Sequence, residues 1–155
     1  MTNLPAQVAE FLSARQIAVA GVSRDSNQPA NLVYRKLKQA GHEVFAVNPN
    51  ASQVEGVPSY SDLRSIGQAV GAVVVATHPR VALQVVRECA DLGIRQVWLH
   101  RSFGEGSVSE EAIRACKQGG INCIVGGCPM MYCDPVDFGH RCMRWMLKFG
   151  NRVPG

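Results

Sequence analysis

The chain has 155 residues, 46% of them hydrophobic and 18% charged, with a formal net charge of +4. That length and apolar content fit one α/β-sized globular domain with a sizeable core, and the mild, scattered basic excess suits an anionic small molecule without demanding nucleic acid. No apolar run approaches the ~20 residues of a membrane span, and the N-terminus lacks the basic-then-apolar pattern of a signal peptide, so a cytoplasmic location with reduced thiols is expected.

Taken in order, residues 4–13 predict a short helix, with Val8, Phe11 and Leu12 on one side, packing across a sheet edge. Residues 17–22 are an apolar run into Gly21 and a small polar loop, which predicts a buried strand ending in a tight turn. A helix over about 31–40 follows and is closed by Gly41. Residues 44–47 predict a second strand, ended by the turn cluster Asn48-Pro49-Asn50. Residues 53–60 read as a loop, and 62–66 as one helical turn. Residues 72–76 form a continuous apolar run, as a strand covered on both faces requires. Pro79 then stands at the first position of a helix whose Ala82, Val85, Val86, Cys89 and Leu92 repeat at a period near 3.6 and stop at Gly93. Residues 96–99 predict a fourth strand. Ser109 can cap a helix reaching Lys117, and residues 121–125 predict a fifth strand. Asp134 and Pro135 open a last helix with Asp137 in its first turn, so residues 132–155 read as a helical extension of the single domain.

Strands that alternate with helices about five times imply an α/β fold built on a doubly wound, parallel, five-stranded sheet. In such a sheet a ligand belongs at the carboxyl ends of the strands. Those ends are residues 21–24, 48–50, 77–80, 100–104 and 126–129. A glycine turn feeding a helix presents free N–H groups and the positive end of the helix dipole to an anion. Arg24, Arg80 and Arg101 all fall in these loops, where a guanidinium can grip phosphate. Taken singly, each feature also has a plain structural reading. Gly21 can be only a turn, Asn48-Pro49 only a loop, and Arg24 and Arg80 solvated surface charges; Trp98, mid-strand, reads as core. The glycine loop lacks G-x-G-x-x-G, and Asn48 stands where NAD-binding sheets usually place an acid for the ribose hydroxyls.

At this point the chain resembles a known family: the small single-domain CoA-binding proteins, Rossmann-like and related to the N-terminal domain of the succinyl-CoA synthetase α subunit. The resemblance is carried by Ala18-Val19-Ala20-Gly21-Val22-Ser23, Val47-Asn48-Pro49-Asn50, the helix start at Pro79, Val97-Trp98-Leu99-His100 and Cys128-Pro129-Met130, five pieces in order over residues 17–131. It implies CoA or an acyl-CoA as the ligand. Gly21, Val22, Ser23 and Arg24 would wrap the pyrophosphate. Asn48 and Pro49 would border the adenine and its ribose phosphate. Thr77 and Pro79 would lie beside the ligand, and Leu99, His100 and Arg101 would face the pantetheine. The family more often has Gln where His100 stands, and seldom Arg at 101. The related synthetases use a phosphorylated histidine on a second domain, which this chain is too short to hold, so binding without catalysis is expected.

Two other functions remain open on the residues. One is a nucleotide-dependent oxidoreductase on a degenerate Rossmann motif, against which the missing glycines and the missing acid count. The other is a thiol-redox or metal protein built on Cys123, Cys128 and Cys133. The spacing C-x4-C-x4-C-x6-H-x-C, ending in His140 and Cys142, lacks the C-x2-C knuckle of zinc sites. On the last helix, Phe138, Cys142, Trp145, Met146 and Phe149 form one apolar stripe, and His140 lies about 160–200° around the axis from Cys142. Cys89, Cys116 and Cys142 therefore read as core. Cys128, at a strand end, is the cysteine placed to form a mixed disulfide with the CoA thiol. The apolar last helix is expected to cover the sheet edge or to make a homodimer contact.

Overall fold

The computed structural model describes residues 4–101 and 106–132. The helix predicted at the C-terminal end, with Cys133, His140 and Cys142, lies outside the described residues, as do residues 102–105. In chain order the elements are α1 (Ala6–Leu12), β1 (Gln16–Ala20), α2 (Pro29–Gln39), β2 (Glu43–Val47), β3 (Gln53–Val54), β4 (Val57–Pro58), β5 (Ala72–Val75), α3 (Pro79–Asp91), β6 (Gln96–Leu99), α4 (Glu110–Gln118) and β7 (Asn122–Val125), with 3-10 turns at Arg64–Ile66 and Pro129–Met131.

Five strands form one parallel sheet in the order β2-β1-β5-β6-β7. The chain leaves β1 to build β2 on one side, then crosses back to build β5 on the other. The direction of winding therefore reverses between β1 and β5, and in an open α/β sheet the crevice at that reversal is where ligands bind. Alternation along the strands divides the core between two faces. Ile17 and Val19 point to the face covered by α1 and α2, where Val8, Phe11, Val33 and Leu37 pack. Ala18 and Ala20 point to the face covered by α3 and α4, with Val73, Val75, Ala82, Val86, Cys89 and Cys116. Helices on both faces of a parallel sheet are the doubly wound, Rossmann-like arrangement expected from the sequence.

Trp98 is fully buried, edge-on to Phe11 at 5.4 Å, and its Nε1 donates to the Gly126 carbonyl at 2.9 Å. It is a core residue that also ties β6 to the loop after β7. Helix α1 is joined to the β6–β7 edge by Glu10, whose Oε1 accepts from Gln96 and Asn122.

The segment at 53–60, read above as a loop, contains a small antiparallel hairpin, β3–β4, turned by Glu55 and Gly56, both at positive φ. Two residues with φ above zero form the tight turn whose twist matches a hairpin. Tyr60 then bridges in parallel to Val47, so the hairpin lies against the end of β2. Helix α2 starts at Pro29 rather than near 31, with proline at the first position, where the missing N–H costs nothing.

Candidate functional site

Gly21 sits at the switch point. It has φ +105, and a Cβ added there would lie 2.2 Å from the Ala76 carbonyl oxygen. No side chain fits, so the loop after β1 and the end of β5 meet backbone to backbone. The Gly21 N–H donates to the Val47 carbonyl at 3.0 Å, which joins the same turn to β2.

Asparagine side chains lock the loop that follows. Asn48 Nδ2 donates to the Val22 carbonyl at 2.9 Å, while its Oδ1 accepts from the Asn50 N–H at 2.7 Å. Asn31, fully buried in the first turn of α2, brackets Ser23: its Oδ1 accepts from the Ser23 N–H at 2.8 Å and its Nδ2 donates to the Ser23 carbonyl at 2.7 Å. Arg24 Nη2 donates to the Asn50 carbonyl, closing the loop onto the end of β2. Two loop carbonyls are thereby occupied. The N–H groups of Val22 and Arg24 have no acceptor among the described residues. A loop with tied carbonyls and spare N–H groups suits an anion.

On either side of Gly21 lies a cavity. The first, about 450 Å³, extends over the ends of β2 and β5 to the first turns of α3, past Pro49, Asp62, His78, Val85 and Glu88. The second, about 500 Å³, runs from the N-terminus of α2 (Gln28, Pro29, Ala30) to His100, Gly106 and Ser107 beyond β6. Gly21, Ser23, Ala76 and Thr77 line both. A hollow of about 550 Å³ adjoins the first cavity at Asn48, Pro49 and Asn50, and carries the hydroxyls of Ser52, Ser59, Ser61 and Ser65.

One wall of the second cavity is held by hydrogen bonds from Ser107 to two strand ends. Ser107 Oγ donates to the Thr77 carbonyl at 2.6 Å, and the Ser107 N–H to the His100 carbonyl at 2.8 Å. Gly106, at φ +58, packs so tightly on this corner that a Cβ would sit 2.4 Å from the His100 carbonyl oxygen. In the first cavity His78 caps α3, its Nδ1 accepting from the Arg80 N–H at 3.2 Å. With Nδ1 as acceptor, the proton of the neutral ring is on Nε2. The carboxylates there are occupied by backbone, Glu88 by the Arg64 N–H at 3.0 Å and Asp62 by the Ser65 N–H at 2.7 Å.

Of the residues singled out in the sequence, Gly21, Ser23, Asn48, Pro49, Thr77 and His100 line one or both cavities. Val22 and Leu99 point the other way, into the cores of opposite faces of the sheet, so they reach a ligand only through backbone. Pro79 starts α3 without lining either cavity, and Arg101 donates its N–H to the Gly127 carbonyl. None of Arg24, Arg80 and Arg101 lines either cavity. The donors that do face the cavities are loop N–H groups and the start of α2. Sequence reasoning missed Asn31, Glu55 and Ser107. An asparagine one turn into a helix that follows a glycine loop was the available signal for the first.

Among the described residues, Cys89, Cys116, Cys123 and Cys128 line neither cavity. Burial pushes the Cys89 thiol well above its usual range, and Cys123 is raised through its hydrogen bond with Cys116 and its own burial. Cys128 is buried in the α1–α2 core. Among the described residues, no group of three or more His, Cys, Asp and Glu side chains is gathered as metal ligands would be.

The sequence model of the CoA binding domain family matches residues 15–134, most of the chain. The chain belongs to this CoA binding domain family. Among curated proteins, it is 29% identical over 109 residues to the α subunit of an ADP-forming acetate–CoA ligase II of Pyrococcus furiosus, covering 70% of this chain and 24% of that subunit. It is 27% identical over 124 residues to the uncharacterized protein YneT of Bacillus subtilis, covering 79% of this chain and 89% of that protein. The chain thus spans about a quarter of the ligase subunit it matches and nearly all of the smaller relative. Among solved structures, a redesigned form of the protein PH1109 superposes with a TM-score of 0.73 at 27% identity, over 79% of this chain and 84% of that one. Family and fold agree on a Rossmann-like CoA binding domain. Among the described residues no helix is long and apolar enough to cross a membrane.

Proposed function

We propose that this chain binds coenzyme A, free or as an acyl thioester, across the carboxyl edge of its sheet, as a binding module without catalysis of its own. One observation carries the reading: two cavities of about 450 and 500 Å³ meet over a glycine loop with tied carbonyls and spare N–H groups. A ligand with two arms and an anionic waist fits that shape. The adenosine belongs in the first cavity, the pyrophosphate over residues 21–24 at the start of α2, and the pantetheine arm in the second cavity toward His100 and Ser107. The serine-lined hollow beside Asn48–Asn50 suits the ribose phosphate, which distinguishes CoA from NAD. Asn48, where an acid would hold two ribose hydroxyls, supports the same choice.

Family membership supports the ligand, and the ligases among the relatives are several times longer than this chain. His78 is engaged as the cap of α3, its Nδ1 accepting from the Arg80 N–H, so that nitrogen is not available as a base. The test is calorimetric titration of the whole chain with CoA, dephospho-CoA, NAD and NADP. The reading expects CoA to bind most tightly, with dephospho-CoA weaker. Equal or tighter NAD binding overturns it.

A further inference from the structure

The β3–β4 hairpin takes no part in the sheet, yet its turn reaches into the glycine loop. Glu55 is the only non-glycine residue with positive φ among the described residues, at +53. Such a turn favours Asn, Asp or Gly, and a glutamate held there is under backbone strain. Its side chain accounts for the choice. Glu55 Oε1 accepts from Asn31 Nδ2 at 2.8 Å and from Arg35 Nη1 at 2.6 Å. Asn31 is the residue that brackets Ser23, and Arg35 Nη2 donates in turn to the Ser26 carbonyl at 3.0 Å. One carboxylate therefore governs both ends of residues 23–26.

It also supports the way the Asn31 amide faces, which the Ser23 N–H and carbonyl already set. A carboxylate and a carbonyl only accept, so Glu55 and the Ser23 carbonyl must both be met by Nδ2. Oδ1 is then turned to the Ser23 N–H. Without Glu55 one amide proton loses its acceptor in a fully buried position, and the bracket loosens.

We propose that Glu55 is a positioning residue for the anion-binding loop, acting through Asn31 and Arg35, and that it sets the affinity for the pyrophosphate part of the ligand and not for the adenosine. This rests on the coenzyme reading above. The test is calorimetric titration with CoA, ADP and adenosine, and melting temperatures recorded alongside. Glu55→Gly keeps a residue suited to positive φ and removes only the side chain. It is expected to weaken CoA and ADP about fivefold or more, the net worth of roughly one hydrogen bond, while adenosine affinity is unchanged. Glu55→Gln still offers an oxygen to Asn31 and Arg35 and is expected to bind within about twofold of the wild type. The proposal is overturned where Glu55→Gly binds ADP like the wild type, where adenosine weakens as much as ADP, or where Glu55→Gln loses as much as Glu55→Gly. A wild-type chain that binds neither CoA nor ADP defeats the coenzyme reading, and this inference with it.

Discussion

Replacing Gly21 by alanine tests the geometry at the switch point. The new Cβ would lie 2.2 Å from the Ala76 carbonyl oxygen, against an ordinary contact of 3.4 Å or more, so the end of β5 and the loop after β1 must part by about 1 Å. Backbone at φ +105 costs an alanine about 1–3 kcal/mol, and forcing packed elements apart costs about 1–3 kcal/mol more. The sum, roughly 2–6 kcal/mol, is a large share of the 5–15 kcal/mol typical of a whole domain. At about 2–4 °C per kcal/mol for a chain of this size, calorimetry should show the melting temperature fall by roughly 5–20 °C. Gly21 lines both cavities, so the affinity for CoA should fall with it, by about tenfold or more, since orientation of the anion donors is lost. A melting temperature within about 2 °C of the wild type, with CoA affinity intact, would refute the claim that backbone meets backbone there.

Four further outcomes follow. Trp98→Phe leaves the Gly126 carbonyl without its indole donor and a gap beside Phe11; urea unfolding should show a loss of about 2–4 kcal/mol with an unchanged slope. Ser107→Ala removes the bond to the Thr77 carbonyl and should cost about 1 kcal/mol in the same assay, with the stabilisation by CoA reduced relative to wild type and that by adenosine unchanged. The Cys89 thiol, raised by burial, should resist alkylation in the native chain and react once urea unfolds it, as read by site-resolved mass spectrometry; rapid native labelling would contradict its placement. The Asp25 carboxyl is held below the usual aspartate range, first by its hydrogen bond from Gln28 and then by the Asn27 N–H. A lowered native value stabilises above the unfolded value, and that contribution fades as pH falls through the native one. Asp25→Asn should therefore lower stability at pH 7 and leave it unchanged at strongly acid pH.

What could be read in the sequence was what repeats locally. Apolar runs such as Ala72–Val75 are long enough to mark buried strands, and Gly21, Gly41 and Gly93 punctuate them. Loops at strand ends follow from a parallel sheet, which is why the sequence places Gly21, Ser23, Asn48, Thr77 and His100 at the edge where the cavities lie. The hairpin was missed because two-residue strands carry no period, and Glu55-Gly56 is a weak turn signal beside Asn-Gly or Asp-Gly. Asn31 was missed because its partners lie 8 and 24 residues away, a relation no local pattern records. That the arginines line neither cavity was not legible, because a loop position does not say which way a long side chain turns. Arg24 bends back to the Asn50 carbonyl, leaving backbone N–H groups to face an anion. Val22 and Leu99 were assigned to the ligand by resemblance, whereas strand alternation directs both side chains into the core.

The central claim is that a doubly wound sheet of this family holds a CoA-type ligand across its switch point, with adenosine on one side of Gly21 and pantetheine on the other. Calorimetric titration of the purified chain with CoA and, separately, with NAD measures this most directly. One-to-one binding of CoA, tighter than NAD and lost in Gly21→Ala, is the predicted result; no heat with CoA, or NAD bound as tightly, contradicts it.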